Sequence, residues 1–179
     1  MQRFVAIILS LFAVTVSFAQ QSKQYSFTHY STQTGMFSNQ VNSILQDETG
    51  FICIGTNDGL IRYDGTRYKT FRHNRQDSSS IPYNQVNQLL IDKNKNFWLL
   101  FSNGKAALFN TRNFRFKQVA VNPREELSLK ANVKRLVADE YGNIFLVLGS
   151  NELLTWNKKL NEFSKSNDPL LIILSQEPF

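Results

Sequence analysis

Three aspartates, Asp47, Asp92 and Asp139, recur along the chain at spacings of 45 and 47 residues. Carboxylates do general acid and base work on glycosidic bonds, but a usable pair must face one scissile bond. Each of these opens a polar turn instead, as in Asp47-Glu48-Thr49-Gly50, where an aspartate accepts hydrogen bonds from turn amides. The histidines are two, His29 and His73, and they stand 44 residues apart rather than at a two-ligand spacing within one element. Cys53 is the single cysteine and sits in an apolar run, which reads as a buried, inert thiol. Neither a Ser-His-Asp nor a Cys-His arrangement can be argued from this set. No metal site or cofactor is expected.

The elements that position these residues form a repeat. Val41-Asn42-Ser43-Ile44-Leu45-Gln46-Asp47 recurs as Val86 to Asp92 and again as Val133 to Asp139. After each aspartate comes a turn, with Gly50 and Gly142 closing the first and third. Six residues past the aspartate, one core-facing slot holds Cys53, Trp98 and Phe145. Nine past stand Thr56, Phe101 and Leu148, and twelve past stand Gly59, Gly104 and Asn151, residues that accept a left-handed backbone. Within the first period the spacing predicts strands over 41–46, 51–56, 60–63 and 67–71, parted by Asn57-Asp58-Gly59 and Asp64-Gly65. A period near 45 residues with four short strands marks a β-propeller blade. The fold class is therefore all-β: a partial β-propeller of about three four-stranded blades, plus one N-terminal strand of another blade. That extra strand is Tyr25-Ser26-Phe27-Thr28-His29, which aligns with Lys69-Thr70-Phe71-Arg72-His73.

Residues 1–19 combine Arg3, an apolar stretch from Phe4 to Val16 and small Ser17 and Ala19, the layout of a secretory signal peptide cleaved after Ala19. The apolar run is too short to span a bilayer as a helix. Export follows. The organisation is then a lead-in over 20–37, repeats over 38–80, 81–128 and 129–168, and a tail over 169–179 that begins a further blade. Propellers close with about four to eight blades, so the chain reads as the N-terminal piece of a longer protein. Left alone, its uncovered sheet faces should favour association.

The stretch from Asp47 to Asp64, with Gly50, Gly55, Thr56, Gly59, Leu60 and Tyr63, resembles the two-component regulator propeller repeat. The second repeat keeps Asp92, Trp98 and Gly104 but has Leu100-Phe101 for Gly-Thr. The third keeps Asp139 and Gly142, with Phe145 in the tryptophan slot and Asn151 for glycine. The resemblance implies a periplasmic sensor region whose parent chain is anchored in the inner membrane. The same parent would carry further blades, a histidine kinase and a homodimeric state. Its ligands would be oligosaccharides, sensed for polysaccharide utilisation. The Asp-x-x-Gly spacing is one residue longer than the sialidase Asp box, and a quinone-cofactor propeller motif is not reproduced.

Two other classes stay open at this point: a fragment of a propeller lyase or glycosidase, and a stand-alone exported interaction module. Lysine and arginine number 20 against 14 acidic residues. Arg62, Arg67, Lys69, Arg72 and Arg75 interleave with Tyr63, Tyr68 and Phe71, a pattern that can mark nucleic-acid binding. Export argues against that partner. A solvated outer blade face is the plainer reading, with attraction of acidic sugars as an alternative use.

Overall fold

The computed structural model describes residues 25–122 and 133–165. The expected signal peptide over 1–19 and the tail over 169–179 lie outside them. Twelve strands form where apolar and β-branched residues run for four to seven positions between Asn, Asp and Gly turns. They are β1 Val41–Gln46, β2 Ile52–Thr56, β3 Gly59–Tyr63, β4 Tyr68–Phe71, β5 Val86–Ile91, β6 Phe97–Phe101, β7 Ala106–Asn110, β8 Arg115–Val121, β9 Val133–Ala138, β10 Ile144–Leu148, β11 Leu153–Asn157 and β12 Glu162–Lys165. Besides them the described residues hold one short 3-10 turn, Thr32–Thr34, capped by Ser31. The strands fall four to each expected repeat, and within each unit they pair antiparallel in sequence order.

The first unit is a separate four-stranded sheet, β1 to β4. The second and third join as one eight-stranded sheet through a short parallel pairing of β8 with β12. The joint has a local cause. Strand β8 runs seven residues against four in β4 and β12, so its end reaches Glu162 and Phe163. The Asn122 amide N–H then donates to the Phe163 carbonyl at 2.8 Å.

Blades pack face to face through alternate residues. Cys53 and Leu60 of the first blade meet Val86, Leu89, Leu99 and Phe101 of the second. Trp98 and Leu100 of the second, on the opposite face, meet Leu136, Ile144, Leu146 and Phe163 of the third. Gly55 permits a close approach, since a Cβ built there would lie 2.8 Å from Val86 Cγ1. The inner strands are laced by side chains as well. Ser43 Oγ accepts from the Leu89 amide at 3.0 Å, and Gln88 accepts from the Leu136 amide at 2.8 Å while donating to its carbonyl at 2.7 Å. Asn42 also donates to the Val86 carbonyl at 2.9 Å, so the first two inner strands each grip the backbone of the next blade.

The leading face of the first blade differs. Ile44 is 63% exposed, whereas its repeat equivalents Leu89 and Leu136 are at 6% and 0%. Each of those equivalents is covered by the preceding blade. Tyr25 to His29, aligned in sequence with an outer strand, pairs with no strand among the described residues, and Phe27 is 91% exposed.

Candidate functional site

The three repeat aspartates do one job. Asp47, Asp92 and Asp139 each accept, through Oδ1, the amide N–H four residues on, from Phe51, Asn96 and Asn143 at 2.8–3.0 Å. The chain turns back through a residue with positive φ three past each aspartate: Gly50, Lys95 and Gly142. What differs is the donor to the second carboxylate oxygen. In the second blade it is the indole N–H of Trp98, at 2.9 Å, with the Asn96 side chain. In the third, the Phe145 side chain has no donor, and the Asn143 side chain donates at 2.7 Å. In the first, Cys53 fills the slot, and Arg62 arrives from β3 with its Nε 2.9 Å from Oδ2.

Arg62 is therefore not on a solvated face, which corrects the outer-face reading for that residue, while Arg67, Lys69, Arg72 and Arg75 of the same cluster are exposed as that reading expects. The Arg62 side chain is 10% exposed, and its guanidinium lies 3.5 Å from the centre of the Phe51 ring. Lys69 and Arg72 also cover rings, of Phe114 and Phe37. Burial works to raise the Asp47 pKa, but hydrogen bonds from Thr49, Arg62 and the Phe51 amide outweigh it, and the carboxyl is held below its ordinary value. At Asp139 burial is likewise outweighed, by hydrogen bonds from Asn143 and the Tyr141 amide.

Cys53 is fully buried, and burial, with the Asp47 charge second, pushes its thiol pKa up to about 12. Almost no thiolate exists at neutral pH. The folded protein is expected to resist an aromatic disulfide reagent at pH 8 and to react once denatured; prompt labelling of the native protein would contradict this. His29 is exposed and His73 is engaged through Nδ1 with the Ile81 carbonyl at 2.9 Å. Among the described residues, no group of three His, Cys, Asp or Glu side chains comes together to hold a metal.

The remaining repeat residues shape turns and packing. Thr56 is buried, and its hydroxyl donates to the Gly59 carbonyl and accepts the Asp58 amide. Leu60 lies in the core between the first two blades. Asp64 Oδ1 accepts the Thr66 and Arg67 amides, while the Tyr63 hydroxyl donates to the Gly65 carbonyl. Gly104 and Asn151 hold φ of 76° and 65°, so asparagine does stand in for glycine there; Gly59, at 133°, is in a different state. Asn57 and Ser102 then tie the first two of these turns back to Gln40 and Gln85.

Every inner strand carries a bulge at the same place, at Asn42, Asn87 and Lys134. Bulges re-aim a side chain, and here they leave all three polar residues exposed at one end of the inner strands. There Asn42 donates to Asn57 Oδ1 at 2.8 Å, Asn57 donates to Gln40 Oε1, and Lys134 donates to Asn151 Oδ1 at 3.1 Å. The result is an axial rim of amides and one cation, able to give and take hydrogen bonds. Its sequence signal was the polar residue directly after the first valine of each repeat.

No family model matches the chain. Histidine kinase P4 of Formosa agariphila is 33% identical over 78 residues, 44% of this chain and 6% of that protein. The extracellular domain of a hybrid two component system from Bacteroides thetaiotaomicron aligns with a TM-score of 0.68 at 23% identity, over 80% of this chain and 20% of that one. Virginiamycin B lyase from Staphylococcus aureus aligns at 0.52 and 12% identity, over 73% of this chain and 42% of that one. The chain thus spans a small part of each, and the structural likenesses show the fold, an arc of β-propeller blades. These matches agree with the resemblance of the motif from Asp47 to Asp64 to the two-component regulator propeller repeat.

Proposed function

We propose that the chain is a non-catalytic, ligand-sensing region of an exported hybrid two-component regulator, acting in the periplasm and capturing oligosaccharides. The observation that carries this reading is the axial rim. The bulged inner strands expose the amides of Asn42 and Asn87 and the ammonium of Lys134 at one end, groups able to hydrogen-bond a hydroxyl-rich ligand. The matched kinase and extracellular domain supply the regulatory context. Capture would bias the geometry of a dimer and hence a distant kinase. The exposed leading face of the first blade, with Val41 and Ile44, supports further blades of the parent protein as its neighbours.

Calorimetric titration of the full chain with neutral and acidic glycans is expected to show saturable binding. Replacing Asn42 and Asn57 together by alanine should weaken it about tenfold, a loss of about 1.4 kcal/mol spread over two hydrogen-bonding groups. Binding unchanged in that variant would move the site off the rim.

A further inference from the structure

We infer that the outer edge of the first blade, strand β4, takes up an extended acidic peptide from a partner protein as a fifth strand. The edge lies across the sheet from the inner strand β1, so the inference stands apart from ligand capture at the axial rim. Strand β4 ends the separate sheet β1-β2-β3-β4. Its register sets Lys69 against Arg62 and Tyr68 against Tyr63, and the turn between the strands closes with the Asp64 amide donating to the Arg67 carbonyl at 3.2 Å. Bonded pairs alternate along an antiparallel ladder. Arg67, Lys69 and Phe71 therefore turn their backbone groups toward β3, while Tyr68 and Thr70 turn theirs outward. Among the described residues, no backbone group reaches those outward amides and carbonyls.

The other two outer strands are covered. Strands β8 and β12 pair with each other, and the Phe116 amide also donates to the Ser79 carbonyl at 2.9 Å. Tyr68 is the first-blade equivalent of Phe116, and Thr34 is that of Ser79, each thirteen residues ahead of its repeat aspartate. The Ser31 capping box winds Thr32–Thr34 into a 3-10 turn, and the Tyr68 amide lacks the bond that Phe116 makes. Unpaired strand edges are templates for an added strand.

The side chains select the partner. Arg67 and Lys69 are exposed on one face of β4, and Arg72 follows at its end. The nearby carboxylate, Asp64, is engaged through Oδ1 by the Thr66 and Arg67 amides. Strand β8 has similar cations, Arg115 and Lys117, but its edge is already taken. On the other face of β4, Tyr68 stacks on Tyr63 at 4.6 Å, and Tyr30 meets Tyr63 edge-on at 5.5 Å. Glutamates opposite Arg67 and Lys69, alternating with apolar residues beside Tyr68, satisfy both faces. A second copy fits poorly. Pairing β4 with itself through Tyr68 and Thr70 sets Lys69 against Lys69, and like charges directly opposite destabilise.

The test is fluorescence anisotropy on the full chain with labelled hexapeptides in which glutamate or lysine alternates with valine. The glutamate peptide should bind saturably, and the lysine peptide about tenfold more weakly. Thr70→Pro removes an outward amide but spares the bonds of Lys69 and Phe71 to β3, so it should weaken binding about tenfold while the fold persists. Lys69→Glu should weaken the glutamate peptide and strengthen the lysine peptide, and it decides the matter should the proline variant unfold. Failure of the glutamate peptide to bind, equal affinity for the two peptides, or binding unchanged in both variants would overturn the site. A concentration-dependent dimer in sedimentation that Thr70→Pro abolishes would also overturn it, because the edge would then belong to a second copy. Glycan binding is expected to persist in both variants, so failure here leaves the sensor reading standing.

Discussion

Replacing Asp47 by alanine is expected to cost the fold about 3–5 kcal/mol, the penalty for leaving one member of a buried ion pair alone. Asp47 accepts from Thr49, Phe51 and Arg62, and Arg62 is enclosed against Phe51. Removing the carboxylate strands a guanidinium whose side chain is only 10% exposed. Adding Arg62→Met should recover part of the loss, since an apolar chain of similar reach leaves no buried charge. Urea unfolding of wild type, both single variants and the double variant forms a cycle that reads this coupling directly. A single-variant loss below about 1 kcal/mol, no more than an exposed pair contributes, would contradict the burial argument.

The same pair sets a pH dependence. The Asp47 carboxyl has a folded pKa below its unfolded value, so its contribution is complete above the unfolded pKa of about 3.9. It is lost as pH falls through the lower folded value. Asp139 acts in the same direction through hydrogen bonds from Asn143 and its turn. Stability in urea should therefore be flat from pH 7 to about 5 and fall below 4. In the Asp47→Ala variant that acid-side fall should be shallower.

Gly59→Ala should be the other severe change. Gly59 has φ of 133°, and an alanine Cβ there would run into the carbonyl oxygen of Phe71 on β4. Backbone cannot step aside as a side-chain tip can. Strain of about 1–3 kcal/mol and a clash of similar size act together. Gly104→Asn is the control, because φ at Gly104 is 76° and the equivalent third-blade residue is already Asn151. Thermal melts should show Gly59→Ala lowered by ten degrees or more, given about 4–8 °C per kcal/mol for a domain near this size, and Gly104→Asn within a few degrees of wild type. Similar melting temperatures for the two variants would mean that the turns are equivalent after all.

These contrasts show where the sequence is readable. Strands β1 to β4 were placed within a residue because Asp, Asn and Gly separators bracket short β-branched runs, and both signals are local. The shared slot of Cys53, Trp98 and Phe145 was legible from the repeat alone, and all three are buried. Arg62 was not. Its partner lies fifteen residues away across two strands, and only the pairing of Cys53 with Arg62 brings the guanidinium to the Asp47 turn. Lys95 was missed because a lysine carries no sign of the left-handed backbone that its position imposes. The joining of β8 to β12 depends on strand length at a blade edge, which no periodicity records. The axial bulges escaped for a related reason: a bulge is a mismatch between two strands, visible only once their register is known.

The central claim is capture without chemistry. It is tested most directly by incubating the full chain with glycans, following binding by calorimetry and analysing the recovered sugar by mass spectrometry. The account predicts saturable binding, with the ligand recovered at its original mass. Recovery of cleaved sugar, whether hydrolysed or unsaturated by elimination, would contradict it and make the protein part of an enzyme.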